Sequence, residues 1–319
     1  MLTGEMTARP RIGIDLGGTK IAITVLAPSG EEAFAHRIAT PRGDYAASLQ
    51  AIAGLVADAE NRLGLAAGVA SIGVAMPGSM SPATGRVQNA NSVWLNGKVL
   101  DSDLCAVLGR PVRLTNDANC LALSEAADGA GAGAQSVFGV ILGTGCGGGL
   151  VFGGRLINGP LGITGEWGHN PLPWPDASEL PGPRCWCGLS GCMETWVAGP
   201  SLHRDYLEHG GDVNSAASGD AVAMLAGQAD AAASAAMRRH ASRLARGLAF
   251  VVNLFDPHVI VLGGGLSRLA HLYDTLPGLM APYIFADHAR VDIRPPKHGD
   301  ASGGRGAARL WDDANDTTT

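Results

Sequence analysis

The sequence lacks an excess of basic residues. Of its 319 residues, 23 are Lys or Arg and 29 are Asp or Glu, so the formal net charge is -6. A nucleic-acid binder needs a basic face to neutralise phosphates, and this composition suggests none. The composition therefore argues against DNA or RNA binding and favours a small-molecule partner.

Long apolar runs are also missing. No stretch approaches the roughly 20 consecutive apolar residues that cross a bilayer, and Met1–Arg11 lacks the apolar core of a signal peptide. We therefore expect a cytoplasmic protein without membrane association. A chain of this length normally divides into about two domains, on the usual size of roughly 100–200 residues per domain.

Cysteine is scarce, because six cysteines in so long a chain are too few for a disulfide scaffold. Three of them, Cys185, Cys187 and Cys192, lie within a short segment, with His169 upstream. Three thiolates and one imidazole are typical of tetrahedral Zn²⁺, and a reducing cytosol disfavours a disulfide there. The sequence thus predicts a Cys₃His zinc site. The other cysteines are interpreted as small buried hydrophobic residues: Cys105, Cys120 and Cys146.

Glycine, in contrast, is abundant, and its short runs separate apolar segments. Arg11–Leu16 and Ile21–Leu26 are apolar and flank a glycine turn, which predicts a β-hairpin. Val137–Leu142 and Gly148–Phe152 repeat that pattern. A further strand, Val259–Leu262, runs into three glycines, Gly263–Gly265, which we expect to start a helix. These alternations predict strands that are joined by tight turns.

Helical patterns lie between the strands. The apolar spacing of Tyr45–Leu63 predicts a helix, followed by a strand at Val69–Val74. A strand at Val112–Leu114 precedes a helix at Cys120–Ala127, and Ala221–Leu254 is interpreted as a long Ala-rich helical region. Asn158–Leu202 is rich in Gly, Pro, Trp and Cys and is interpreted as ordered loops around a site, and 302–311 as a helix.

These elements predict an α/β protein with two lobes. We place residues 1–121 in an N-terminal lobe, completed by a C-terminal helix within 302–319, although Asp312–Thr319 looks disordered. Residues 122–301 form the larger lobe, which carries the zinc-binding loop.

Three glycine turns are candidate phosphate-binding loops. Glycine lets backbone N–H groups approach an anion, and a carboxylate beside such a turn can hold Mg²⁺ through water. Neither the P-loop spacing nor the dinucleotide fingerprint is present, and a plain hairpin turn is the alternative for any one of them. Together they favour a nucleoside triphosphate bound between two lobes. The candidate residues are Asp15, Gly17, Gly18, Thr19 and Lys20; Gly143, Thr144 and Gly145; and Gly263, Gly264 and Gly265.

Polar residues at a strand end are candidates for sugar chemistry. Phosphoryl transfer to an alcohol needs a carboxylate that accepts the hydroxyl proton, and Asp117 in Asn116–Asn119 is our general base. Helix capping by these residues is the alternative. Other candidates for contacts with sugar hydroxyls are Asn91, Asn96, Asn116, Glu166, His169 and Glu194.

With these residues assembled, the chain resembles the ROK family of bacterial sugar kinases over residues 11–311. The motifs that carry the resemblance are Asp15–Lys20, Asn116–Asn119, Ile141–Gly149, Gly165–His169 and Cys185–Glu194. It implies a two-lobed actin/hexokinase-like (ribonuclease H-like) fold with the active site in the interlobe cleft. It also implies ATP as donor, Mg²⁺ as catalytic ion, a 6-hydroxyl as acceptor, a structural zinc on His169 and the three cysteines, and a homodimer.

Finer features resemble bacterial fructokinases of the mannokinase/fructokinase type. Asn89–Gly97 and Glu166–Trp174 carry this likeness, and Trp167 replaces the small residue common in glucose-phosphorylating relatives. D-Fructose is therefore the expected substrate, with mannose, glucose or an N-acetylhexosamine as alternatives. A non-catalytic, sugar-sensing regulator is the alternative of a different class. A sugar-responsive repressor would need a DNA-binding domain before Arg11, and a non-catalytic sensor would lose Asp117 or a phosphate loop. An actin-like filament protein would have no use for the Cys cluster.

Overall fold

The computed structural model describes residues 9–312. It divides into two compact units: residues 9–124, 154–164 and 300–312 form the first, and residues 125–153 and 165–299 the second. Residues 154–164 thus belong to the first unit, whereas the sequence analysis places them in the second lobe. The predicted disorder after Asp312, and the last part of the predicted 302–319 segment, lie outside the described residues.

The first unit is built on a mixed sheet. Its strands are β1 (Arg11–Leu16), β2 (Lys20–Leu26), β3 (Glu32–Ala39), β4 (Ser71–Met76), β5 (Ser79–Ser81), β6 (Arg86–Gln88) and β7 (Val112–Asn116). Five of them pair in the order β3-β2-β1-β4-β7, and β5 and β6 form a separate hairpin. The helices that follow in this part of the chain are α1 (Tyr45–Leu63), α2 (Leu100–Leu108) and α3 (Asp117–Ala127).

Local signals in the first unit behave as predicted where they are strong. The β1–β2 hairpin is antiparallel, with Asp15 opposite Ala22. Helix α1 has the predicted bounds, because the Asp44 side chain accepts from the Ala47 N–H at its start and Gly64 ends it in the left-handed region. Strand β3 is missing from the prediction, since most of its side chains are exposed and it carries no clean alternation.

The second sheet has the order β10-β9-β8-β11-β12, with parallel β8–β11 and antiparallel β8–β9 pairing. Its strands are β8 (Ser136–Leu142), β9 (Cys146–Phe152), β10 (Arg155–Leu156), β11 (Val259–Gly263) and β12 (Ile293–Arg294). The helices of the second unit are α4 (Glu194–Val197), α5 (Gly199–Glu208), α6 (Gly219–Gly227), α7 (Ala231–Phe255) and α8 (His271–Met280). The two mixed sheets with helices confirm the α/β class.

The long helical region predicted in the second unit consists of two helices, because Ala229 has a φ of 64° and Asp230 caps α7 by accepting from the Ala233 N–H. One expectation for this unit was wrong. The Gly263–Gly265 run does not open an α-helix, since only a short 3₁₀ turn, Gly265–Arg268, follows it. Among the described helices, none is both long and apolar enough to cross a membrane.

Helix α9 (Ser302–Ala308) packs against the first sheet backbone to backbone. A Cβ on Gly73 would lie 1.9 Å from the Ala307 carbonyl oxygen, and one on Gly13 would lie 1.8 Å from that of Gly304. Glycines on both elements therefore permit this approach. The 3₁₀ turn Arg309–Trp311 follows α9 and completes the segment for which the sequence predicts a helix.

Replacing Gly73 by alanine tests this packing. Because the clash is with backbone that cannot rotate away, we expect Gly73→Ala to lower the free energy of unfolding by about 3 kcal/mol. Gly54→Ala is the control, since Gly54 lies in α1 with open space around it, and it should stabilise by about 0.5–1 kcal/mol. Urea unfolding of both variants measures the difference, and equal stabilities would contradict the packing argument.

Candidate functional site

Asp117 is the first residue of α3 and directly follows β7. Its Oδ1 accepts from the Ala118 N–H at 2.8 Å, and the Asn116 Oδ1 accepts from the same N–H at 2.8 Å. The Asn116 amide also donates to the Gly78 carbonyl at 3.0 Å. Asp117 is only partly buried. The helix-start contact that was the alternative role for Asp117 therefore exists. It holds the carboxylate in place while the residue stays partly exposed.

Asp15 lies near the end of β1 in the first unit, and Asp117 directly follows β7 of the same sheet. Burial raises the pKa of the fully buried Cys120 thiol, and the carboxylates of Asp15 and Asp117 raise it further. Burial also raises the pKa of Asp15, which Lys20 partly offsets. A Cβ on Gly303 would lie 3.0 Å from the Asp15 carboxyl carbon, so the start of α9 flanks this group.

The glycine turn after β1 is held from two sides. The Thr40 hydroxyl donates to the Gly17 carbonyl at 2.7 Å, and the Thr40 N–H donates to the Thr19 carbonyl at 3.0 Å. A Cβ on Gly18 would lie 3.0 Å from the Ser92 hydroxyl. Lys20 is within 3.8 Å of Asp300. The turn is thus a fixed element rather than a loose loop.

The two asparagines of the 89–97 segment differ. Asn96 makes two hydrogen bonds of 2.9 Å to the backbone of Ala90, so its side chain closes its own loop. Asn91 is exposed. Asn96 therefore closes the loop that follows Ala90, and its contact with a sugar stays a prediction.

A candidate metal centre lies in the second unit. The ligand atoms of His169, Cys185, Cys187 and Cys192 all lie within 4.8 Å of one another. The Cys187 and Cys192 sulfurs are 3.6 Å apart, and the Cys185 sulfur is 3.6 Å from His169 Nδ1. A tetrahedral zinc with Zn–S bonds of about 2.3 Å keeps its sulfurs about 3.8 Å apart. The residues therefore fit one zinc ion, with Nδ1 as the imidazole ligand.

Carboxylates lie beside this cluster. Burial raises the pKa of Glu166, His169 lowers it and Glu194 raises it, so the three predicted sugar-contacting groups of this unit are close together. Glu194 accepts from the Cys146 N–H at 3.0 Å and from the Trp186 indole at 2.7 Å. Trp186 also packs edge-on against His169, with ring centroids 4.9 Å apart. Sequence reasoning missed Trp186, although its place between two predicted ligands was a signal.

Trp167 does not face a site. Its side chain is 6% exposed, its indole donates to the Gly147 carbonyl at 3.0 Å, and its ring meets Phe138 edge-on. The expectation that this residue disfavours glucose therefore has no basis in direct contact with a sugar.

A buried ion-pair network fixes the loop that leads to the cysteines. Glu179 accepts from Arg243 at 2.9 Å and from Arg246 at 2.7 Å, and Arg243 also donates to Asp205 at 2.7 Å. Burial alone would raise the pKa of Glu179, but hydrogen bonds from Arg246 and Arg243 lower it to about 2. This network ties the loop to α7, and the composition of the loop gave no hint of it.

Two of the glycine turns meet in the second unit. Gly264 has a φ of 79°, and a Cβ there would lie 2.5 Å from the Leu142 carbonyl, which places the third turn against the second. The Gly143 carbonyl accepts from the Gly199 N–H at 2.8 Å, so the start of α5 joins them. A Cβ on Gly219 would lie 2.6 Å from the Gly199 carbonyl, which brings in the start of α6.

These segments enclose a cavity of about 460 Å³, which we call the glycine cavity. Its lining is Gly143, Thr144, Gly199, Pro200, His203, Ala217, Ser218, Gly219, Asp220, Gly265 and Leu266. The predicted residues Gly145, Gly263 and Gly264 are not among them, and Gly145 instead faces the Glu194 carboxylate. The start of α6 adds the partial positive charge of a helix N-terminus to this lining, whereas at the start of α5 the Gly199 N–H is taken by the Gly143 carbonyl and Pro200 has no N–H. Proline after Gly199 and serine before Gly219 are helix-start signals that sequence reasoning passed over.

The comparisons with known proteins agree with this architecture. The family model described as ROK family matches residues 11–314, so the chain belongs to the ROK family. It is 40% identical over 307 residues to an N-acetyl-D-glucosamine kinase of Shigella flexneri, covering 93% of this chain and 98% of that protein.

Solved structures agree as well. A ROK hexokinase from Thermus thermophilus has a TM-score of 0.79 and 33% identity, over 94% of this chain and 96% of that one. A ROK family glucokinase from Streptomyces griseus in complex with glucose and AMPPNP has a TM-score of 0.79 and 29% identity, over 94% and 98%. These matches confirm the predicted hexokinase-like fold.

Proposed function

We propose that this protein is an ATP-dependent sugar kinase that transfers the γ-phosphoryl group of ATP to the 6-hydroxyl of a hexose. The observation that carries the proposal is the half-buried Asp117, whose carboxylate is fixed at the start of α3, after a strand of the same sheet that carries Asp15. Such a carboxylate accepts the proton of the attacking hydroxyl and orients its oxygen toward phosphorus. The family relatives support the class, because those compared above are named as sugar kinases.

ATP is assigned to the glycine turns. The glycine cavity is lined by the N-terminus of α6 and by the backbone of the Gly143 turn, which suit phosphates. The Streptomyces griseus relative holds AMPPNP, which supports ATP as the donor here. Asp15 fits a Mg²⁺ role, because its burial penalises an isolated negative charge and a cation offsets that cost. When bound, Mg²⁺ neutralises charge on the transferred phosphates.

Sugar contacts are assigned to the polar residues that the sequence predicted. In the first unit Asn116 and the exposed Asn91 are the candidates, and in the second Glu166, His169 and Glu194. The His169 Nδ1 faces the cysteines, which leaves its Nε2 for a sugar hydroxyl. A structural zinc on the four ligands therefore fixes the ring that contacts the sugar.

For the sugar itself we propose D-fructose, on the likeness of Asn89–Gly97 and Glu166–Trp174 to fructokinases. N-Acetyl-D-glucosamine is the second candidate, because the curated relative compared above phosphorylates that sugar by its name. The two differ in ring form and in the acetamido group. Hydrogen-bonding groups that match one sugar reject the other strongly when left unpaired.

Initial rates on a panel of hexoses with ATP decide between them. For D-fructose we expect kcat/KM at least about tenfold above that for glucose, roughly 1.4 kcal/mol of transition-state preference, with mannose second. ADP release in a coupled assay gives the rates for fructose, mannose, glucose and N-acetyl-D-glucosamine. A value for glucose or N-acetyl-D-glucosamine above that for fructose would overturn the substrate and leave the kinase standing.

A non-catalytic sugar sensor is the competing class. It binds sugar but releases no ADP with any member of the panel, so the same assay separates the two. Homodimer formation is part of the proposal, and light scattering on the purified protein measures it.

A further inference from the structure

The glycine cavity contains one group whose role the proposed function does not use. Asp220 is the second residue of α6, after Ser218, whose hydroxyl accepts from the Ala221 N–H at 3.2 Å. Among the described residues that line the cavity, Asp220 supplies the single carboxylate. Its side chain is exposed.

A carboxylate is out of place beside a polyphosphate. Like charges repel, and the partial positive charge at a helix start attracts both groups to the same place. The phosphates are therefore better placed at Gly143 and Thr144, where the lining holds no acid. Asp220 must then face a neutral part of the nucleotide that offers hydrogen-bond donors. The ribose supplies two adjacent hydroxyls, which suit the two oxygens of a carboxylate.

The surroundings of Asp220 support this orientation. Its Oδ1 lies 3.8 Å from the position that a Cβ on Gly265 would occupy, and Arg268 Nη2 lies 3.7 Å from the same position, so the carboxylate stands over glycine backbone with a guanidinium on the other side of that glycine. The next residues on the same face of α6, Ala223, Ala226 and Gly227, line a second groove of about 840 Å³ together with Leu269. Small apolar side chains in this groove can pack against the flat face of a base. They lie one to two turns of α6 away from Asp220.

We infer that Asp220 accepts hydrogen bonds from the 2′- and 3′-hydroxyls of the ribose and thereby selects ribonucleotides over 2′-deoxyribonucleotides. The inference rests on the proposed function, since it takes the glycine cavity as the nucleotide site. It adds a specificity-determining residue that acts on the donor and not on the sugar.

Direct binding of ADP and 2′-deoxy-ADP, measured by calorimetry on the full chain without sugar, tests the inference. We expect the wild type to bind ADP roughly tenfold more tightly, because the deoxy compound leaves a charged acceptor without one partner. In Asp220→Ala the two affinities should agree within about twofold, through loss of ADP affinity. Asp220→Asn should keep part of the preference, since its amide oxygen still accepts.

The matched control is Asp230→Asn, an acid at the start of α7 that caps its helix and lies outside the cavity lining. It should keep the wild-type preference for ADP. An equal loss of ADP and 2′-deoxy-ADP affinity in Asp220→Ala would assign Asp220 a merely structural role and overturn the inference. Equal binding of both nucleotides by the wild type would also overturn it while leaving the kinase intact. Failure to bind either nucleotide would overturn the proposed function as well.

Discussion

Asp117→Asn should lower kcat by on the order of 10²–10⁴ while the affinity for ATP survives. Asparagine keeps the shape and the hydrogen bond to the Ala118 N–H, but it cannot accept the proton of the attacking hydroxyl. A group that acts only in the transition state lowers kcat and kcat/KM together. Steady-state rates at saturating sugar and ATP, with nucleotide binding measured separately, give both quantities.

Asp101→Asn is the control for this variant. Asp101 lies in the first turn of α2 and accepts from the Ser102 N–H at 2.7 Å, so it reproduces the local contact without the proposed chemistry. Its turnover should match the wild type. Near-normal turnover in Asp117→Asn would remove Asp117 as the base, whatever the control shows.

Loss of the metal should have the second large effect. We expect about one zinc per chain by elemental analysis. Cys187→Ser should lose the zinc and about 3 kcal/mol of unfolding free energy, which is the stabilisation given by a ligand present at a hundred times its Kd. Because His169 Nδ1 faces the cysteines, removal of zinc also frees the ring, and sugar affinity should fall. Nucleotide affinity should stay unchanged.

Cys105→Ser is the matched control, since Cys105 is a partly buried cysteine of α2 outside the cluster. It should keep the metal and the sugar affinity. Normal sugar binding by metal-free protein would break the link between zinc and sugar. A Cys187→Ser protein with full zinc content would show that Cys187 is not a ligand.

Secondary structure could be predicted from the sequence where one short segment contains all the residues that determine it. Helix α1 was predictable because its apolar spacing, its Asp44 cap and the glycine that ends it all lie within one run of residues. Strand β3 was not predictable, because it is an exposed edge strand. It is held by its pairing with β2 and carries no alternating apolar pattern of its own. The break between α6 and α7 was likewise hidden, since alanine favours helix on both sides of Ala229.

The candidate site divides in the same way. Glycine runs identified the turns, because few other residues tolerate such close backbone approach or positive φ. They did not reveal which glycines face a cavity: Gly145 meets Glu194, whereas Gly199 and Gly219 at the starts of α5 and α6 line the cavity. Those contacts join segments that are distant in sequence, so no local pattern contains them.

The sequence by itself singled out the candidate zinc ligands and the candidate base. Three cysteines in eight residues have few uses other than metal binding when they are reduced, and an acid after a strand has few in a sugar kinase. Only the tertiary structure decided that Trp167 belongs to the core, that Asn96 closes its own loop and that Glu179 is held by two arginines. A side chain's role depends on whether its neighbours bury it, bond it or leave it accessible. Those neighbours are chosen by packing across the fold, which residue type and spacing alone do not specify.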